Sequence, residues 1–383
     1  MISAPFSVEH AGVPFSLAVA PLSQRRRAGL SRPLPEPAMH IVFSSQHQAH
    51  GTRPAMPGYP DRYDETPPRV GAILAGLEAA GLGSPVQAVD HGLAPILAVH
   101  DAGLIAFLQG AFQGSRAFLP GDSPLWPDGY HAVRGWRRRP AGWQQLAGYY
   151  AIDRDCPILA GTWEAAYWSA QAALTAAGLV KAGQRAAYAL CRPPGHHASA
   201  SQYGGYCYLN NAAIAARHLQ AGSGARVALV DIDYHHGNGT QEIFYADPTV
   251  LTCSLHADPD QEYPTFWGGA AELGDGPGRG YNRNWPLPAG VDDAAYLHAL
   301  DEAIALVATF QPAFLVIAAG FDLVQGDPSA TTTGFRVTVE GLETVGRRLA
   351  GLDLPTVIVQ EGGYQIDQLG EMAVRFLRPF DAG

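Results

Sequence analysis

Four short apolar runs in this chain each stop at a cluster of polar residues. They are RAAYALCRPPGHH (185–197), RVALVDIDYHHGNG (226–239), AFLVIAAGFD (313–322) and PTVIVQEGGY (355–364). None alternates apolar with polar; Val, Ile, Leu and Ala follow one another. A strand with that pattern is buried on both faces, as in a parallel sheet. Helical patterns lie between such runs, among them TWEAAYWSAQAALTAAGLV (162–180) and NNAAIAARHLQAG (210–222). This alternation predicts an α/β domain, a mostly parallel sheet with helices on both faces. Regular structure is expected to begin at Met39 with HIVFSS (40–45), giving a domain over 39–383. Residues 1–38, with RRR at 25–27 and RPLPEP at 32–37, repeat no apolar period and read as a flexible extension. The stretch 118–143, rich in Gly, Pro, Trp and Arg, breaks the alternation. Loops of that length inside a domain usually serve as lids or interfaces.

In open α/β sheets, ligands bind beyond the carboxyl ends of the strands. Here those ends gather His196, His197, Asp231, Asp233, His235, Asp322 and Tyr364. Asp233 and His235, two apart at the end of a strand, share a face and can reach one ion, with Asp231 one step deeper. Asp322 offers a third ligand from another strand. Two carboxylates and one imidazole leave a fourth position for water, as in catalytic rather than structural zinc. A lone Asp-x-His is more often a solvated turn, so the convergence of clusters carries the reading. Adjacent His196 and His197 cannot point the same way in extended chain. The natural partner of one is Asp231 and of the other Asn238; a carboxylate holds its histidine charged, an amide only orients it. One then serves as general base for an attacking water, the other as its electrostatic support. In EGGY (361–364) the glycines allow the turn that aims Tyr364 into the crevice, where its phenol can donate to a developing oxyanion. A tyrosine there for packing alone is the plainer alternative.

Composition narrows the class. With 383 residues, 47% hydrophobic and 16% charged, there is ample core for one large α/β domain or two ordinary ones. No apolar run is long enough to span a bilayer, and the N-terminus lacks the basic start of a secretory signal. The formal net charge of −10 disfavours nucleic acid and mildly suits cationic small molecules, although an ordinary acidic surface explains it equally well. Cys156, Cys191, Cys207 and Cys253 form no Cys-x-x-Cys pair, which points to buried thiols and a reducing cytoplasm.

The ordered motifs CRPPGHHA, GGYCYLNNAA (204–213), VDIDYHHGNGTQEIFY (230–245), TCSLHADP (252–259), GPGRGYN (276–282), AGFD and QEGGY resemble the histone deacetylase superfamily, most closely its acetylpolyamine amidohydrolase branch. The resemblance runs from about Met39 to the C-terminus and implies a single arginase/deacetylase-type domain with about eight strands. Binuclear manganese enzymes of the arginase type share the architecture, but they carry a further acid after the histidine and an Asp-x-Asp on the later strand. Gly237 and Val324 stand at those positions here, so a single metal is expected.

The resemblance implies zinc, with ferrous iron as an alternative, held by Asp233, His235 and Asp322. It makes His197 the general base and acid, His196 its partner and Tyr364 the electrophile. One structural potassium site would lie at Asp231, Asp233, His235, Ser254 and Leu255, and a second around Phe244, Asp247 and Val250. Gly205, Tyr206 and either Tyr263 or Phe266 would line a narrow acyl channel. The insert at 118–147 matches a dimerisation loop, with Trp126, Trp136 and Trp143 as apolar anchors of a homodimer. Of two acidic positions at the channel mouth, one holds Asp155 and the other Gln144, which is neutral. The expected reaction is removal of an acetyl group from a small cationic acetylated amine, an acetylpolyamine above all. An acetyl-lysine deacetylase of the same superfamily is the alternative.

Overall fold

Among the described residues, eight strands pair side by side and all in parallel: β1 (His40–Phe43), β2 (Ser84–Gln87), β3 (Ala186–Ala189), β4 (Val227–Asp231), β5 (Val250–Ala257), β6 (Asn282–Leu287), β7 (Phe314–Ala319) and β8 (Thr356–Gln360). Their order across the sheet is β2-β1-β3-β8-β7-β4-β5-β6. The computed structural model describes residues 39–52, 64–127 and 138–381. The expected extension at 1–38 and the middle of the insert, with Trp136, lie outside the described residues.

The sheet sits between two apolar layers, and each strand serves both because successive side chains point to opposite faces. Val227, Leu229, Val316, Ala318, Val357 and Val359 enter one layer, with the helices Ala102–Ser115, Trp143–Tyr150, Thr162–Lys181 and Asn211–Gln220. Ala228, Val230, Leu315, Ile317 and Ile358 enter the other, with Pro68–Ala79, Asp293–Phe310, Val339–Ala350 and Ile366–Asp381. Every residue of β3, β4, β5 and β8 is buried, which is why the runs at β3, β4 and β8 are apolar without alternating, although β5 places Thr252, Ser254 and His256 between its apolar residues. Each large aliphatic side chain so buried contributes about 1.5–3 kcal/mol.

Local chemistry sets the boundaries. Asn210, Asp292 and Thr338 cap their helices by accepting a backbone N–H in the first turn. HIVFSS shortens to a four-residue strand because the Ser44 hydroxyl accepts the Gln46 N–H and starts a 3-10 turn, Ser45–Ala49. GPGRG (276–280) begins another, Gly276–Gly278, and is a turn rather than a phosphate loop. At the ends of the insert, Leu125 pairs with Ile158, and the Trp143 ring packs on Phe107 at 6.4 Å. Trp143 is therefore partly buried against the core layer.

Candidate active site

The four runs singled out in the sequence are the four central strands, β3, β8, β7 and β4, so their carboxyl ends converge. Beyond β4 the chain keeps its alternation. Asp231 Oδ1 accepts the Asp233 N–H at 3.1 Å and Asp233 Oδ1 accepts the His235 N–H at 2.8 Å. Asp231, Asp233 and His235 are thereby turned to one side, while Ile232 and Tyr234 join the apolar layer. From β7, Asp322 Oδ1 accepts the Tyr234 N–H at 3.0 Å; from β8, the Gly362 N–H donates to Asp233 Oδ2 at 2.8 Å. A side chain at Gly320 or Gly362 would run into these carboxylates, so only glycine fits beside them.

Donor atoms of Asp233, His235 and Asp322 lie within 4.8 Å of one another, all buried. Asp322 Oδ2, buried, lies 3.3 Å from His235 Nδ1. Burial and the Asp233 charge raise Asp322 to about 7. Burial opposes protonation of His235, yet its bonds to Asp233 and Asp322 push it up to about 10. A group that draws a proton this strongly is one that a divalent cation would satisfy, and two carboxylates with one imidazole are a suitable donor set. A second cluster, His196, Cys207 and Glu361, is also close-packed. It fits a cation poorly, because burial raises the Cys207 thiol well above its ordinary value and His196 Nδ1 is engaged elsewhere.

The adjacent histidines separate by partner. His196 Nδ1 lies 3.0 Å from Asp231 Oδ2, and His197 Nδ1 lies 2.8 Å from Asn238 Oδ1. Burial disfavours charge on His196, but Asp233 and Asp231 outweigh it and raise it to about 10. His197 is driven well below the ordinary value by burial and by the neighbouring charges of His196 and His235. A charged imidazole thus stands behind a neutral one. Glu361 Oε2 fixes the turn that presents them, accepting the Gly195 N–H at 2.6 Å and the His196 N–H at 3.1 Å.

Tyr364 follows Gly363, whose φ of 113° is accessible to glycine and turns the chain sharply. The Tyr364 ring sits edge-on to Tyr206, and burial keeps its phenol protonated, with a pKa well above the ordinary value.

A cavity of about 170 Å³ opens onto this group. Its walls include His196, His197, Asp233, His235 and Tyr364, together with Asp155, Gly205, Tyr206 and Tyr263. Two expected wall residues are elsewhere. Phe266 is 48% exposed and does not line the cavity. Gln144 does not line it either; its amide donates to the Trp126 carbonyl at 3.0 Å and ties the ends of the insert together. Pro194, Ser329, Thr331 and Gly362 also form the wall and were not anticipated. Nor was Asp153, which accepts both the Tyr263 phenol and the Gly205 N–H at 2.6 Å. Only the acidic repeat in DRD (153–155) hinted at it.

The residues expected around potassium fall into two places. Ser254 is the register partner of Asp231, with Leu255 next to it in β5. Phe244 O accepts the Asp247 N–H at 2.9 Å, and Val250 opens β5. Among the described residues, no helix is long and apolar enough to cross a membrane.

Residues 63–379 match the model of the histone deacetylase domain. The chain is 42% identical over 347 residues to acetylpolyamine amidohydrolase 1 of Pseudomonas aeruginosa, covering 90% of this chain and 99% of that one. It is 45% identical over 325 residues to the acetylpolyamine amidohydrolase of Burkholderia pseudomallei, covering 83% and 91%. Among solved structures, the acetylpolyamine aminohydrolase of Burkholderia pseudomallei superposes with a TM-score of 0.83 at 41% identity, covering 90% of this chain and 99% of that one.

Proposed function

We propose that this chain, which belongs to the histone deacetylase family, hydrolyses the acetyl amide of small cationic amines, acetylpolyamines first among them. Deacetylases of this superfamily depend in general on zinc. Asp233, His235 and Asp322 would hold it, with ferrous iron as an alternative for the same donors. Such an ion supplies Lewis-acid polarisation of the amide carbonyl and lowers the pKa of water.

The chain's own residues do the rest. With Nδ1–H directed to Asn238 Oδ1, His197 keeps Nε2 free to take the proton of the attacking water. His196, held charged by Asp231 and Asp233, favours the negative charge that grows on the substrate. Tyr364 donates its phenolic proton as a hydrogen bond to the carbonyl oxygen as it becomes an oxyanion. The proton on His197 then passes to the amine nitrogen as the C–N bond breaks, releasing acetate and free amine. The observation that carries this reading is the buried His197, held by Asn238 and opening onto the same cavity as Asp233, His235 and Tyr364.

A small amine is favoured by a cavity of about 170 Å³, and a cationic one by Asp155 on its wall and the net charge of −10. The same reading includes structural potassium beside Asp231 and Ser254 and near Phe244, Asp247 and Val250. It also includes a homodimer through 118–147, where Phe118 is 49% exposed. A cytoplasmic setting accords with four free, buried cysteines.

Steady-state kinetics on acetylputrescine, acetylspermidine and an acetyl-lysine peptide side by side test the substrate class. A higher kcat/KM for the polyamines is expected; preference for the peptide would favour a lysine deacetylase.

A further inference from the structure

Behind Thr331 in the cavity wall lies a carboxylate to which neither the reaction nor the donor cluster gives a role. Glu262 is 2% exposed, yet Thr331 and Thr332, two of the residues it grips, are on the surface. Its oxygens accept the Thr331 N–H at 3.0 Å and 3.2 Å, the Thr331 hydroxyl at 2.6 Å and the Thr332 N–H at 2.7 Å. They also accept the Tyr234 phenol, from between Asp233 and His235, at 2.9 Å. Burial would raise its pKa, but the bonds from Thr331 and Thr332 outweigh that and hold it below the ordinary glutamate value. The anion is therefore present at neutral pH, and bonds to it are roughly twice as strong as neutral ones.

The next residue extends the connection. Tyr263 lines the cavity and donates to Asp153, which also holds the Gly205 N–H. Thr331, Tyr263 and Gly205 come from three separate loops, and all three form the wall. Thr331 is exposed while Asp233 and His197 are buried, so Thr331 stands at the outer end, where the amine side of a substrate leaves.

We infer that Glu262 is a positioning residue that fixes the width of the rim, and thereby decides how bulky an amine the site accepts. The inference rests on the deacetylase reading above. Glu262→Gln keeps the size of the side chain but turns an amide N–H₂ toward groups that are themselves donors, so the 329–334 segment loses its anchor.

The test compares wild type, Glu262→Gln and Glu262→Asp on acetylputrescine and on an acetyl-lysine tripeptide amide, with hydrogen exchange followed at 329–334. In Glu262→Gln, exchange should accelerate and the kcat/KM preference for the slender substrate should fall roughly tenfold, the low end of what one mismatched methylene costs. The fall should arise in KM rather than kcat. Glu262→Asp, which retains the charge, should recover part of the preference, and it replaces the Gln variant if that variant does not fold. Faster exchange with an unchanged preference would make Glu262 a fold staple only and overturn the inference, as would unchanged exchange. A wild-type enzyme that cleaves neither substrate would overturn the deacetylase reading itself, before any variant is compared.

Discussion

The Tyr364 N–H donates to Asp327 Oδ2 at 2.8 Å, so a buried carboxylate one loop away holds the residue proposed to stabilise the oxyanion. From the other side, Arg69 Nε donates to Gly363 O at 2.7 Å while its guanidinium lies 4.6 Å from the Tyr364 ring centroid. The phenol is thus fixed before substrate arrives, and little energy is spent in ordering it. Tyr364→Phe preserves this packing and removes only the donor. Its kcat should fall roughly 10²–10³-fold, with KM near the wild-type value. Steady-state kinetics check this, and near-normal turnover would remove Tyr364 from the mechanism.

Metal content provides a second check. Three donors around one point, with Gly237 and Val324 where further acids would be needed, predict about one catalytic divalent ion per chain. Asp322→Ala should lose both the ion and the activity, and a chelator should do the same to wild type. Elemental analysis giving two such ions per active chain would require a binuclear site.

The pH profile should show the unusual base. His197 acts when neutral, and its pKa lies well below the ordinary 6.5, so protonation inactivates it only at low pH. With zinc saturating, kcat/KM should remain level as pH falls through 6.5 and decline only beneath it. An acid limb centred at 6.5 would show that burial and the charge on His196 do not depress His197.

Charge at the cavity wall can be separated from charge elsewhere. Asp155→Asn should raise KM for acetylspermidine about fivefold, the equivalent of about 1 kcal/mol for a partly exposed pair. It should hardly change KM for N-butylacetamide, and the difference should shrink at high salt. Gln144→Glu, by contrast, should bring no gain in polyamine binding, because Gln144 faces the Trp126 carbonyl and not the cavity. It should instead cost about 1 kcal/mol of stability through the lost donor, visible as a lower Tm. Tighter acetylspermidine binding by Gln144→Glu would place that side chain at the mouth after all.

How much of this was legible in the sequence depends on how local each signal is. The central strands, the Asp233–His235 pair, Asp322, the two histidines and Tyr364 all lie at the end of an apolar run, so position along the chain gave position in space. Even the division of partners, Asp231 for one histidine and Asn238 for the other, followed from the chemistry of carboxylate and amide. What stayed hidden acts across loops that no periodicity connects. Glu65, with 0% side-chain exposure, lies 2.7 Å from Arg192 and 3.1 Å from Arg69, a buried ionic group beneath the tyrosine turn. Glu65 and Arg69 belong to none of the motifs that mark the site in the sequence. Glu262, Asp153 and Asp327 are hidden in the same way, each meaningful only through a partner brought near by the fold. Gln144 and Phe266 show the reverse error: a position inferred from a resemblance in a loop is less secure than one at a strand end, because loops change course with few substitutions.

The sheet order has a consequence for how the chain is made. β7 and β8 are the last strands to be synthesised, yet they lie between β3 and β4. Until they arrive, the emerging chain is two separate ribbons, each with a naked inner edge, and such edges invite pairing with other chains. A stop codon before residue 313 would therefore not trim the molecule at its periphery but leave it without its keystone. Fragments of this kind should be insoluble rather than weakly active, because Asp322 and Tyr364 enter together with the two strands that join the halves.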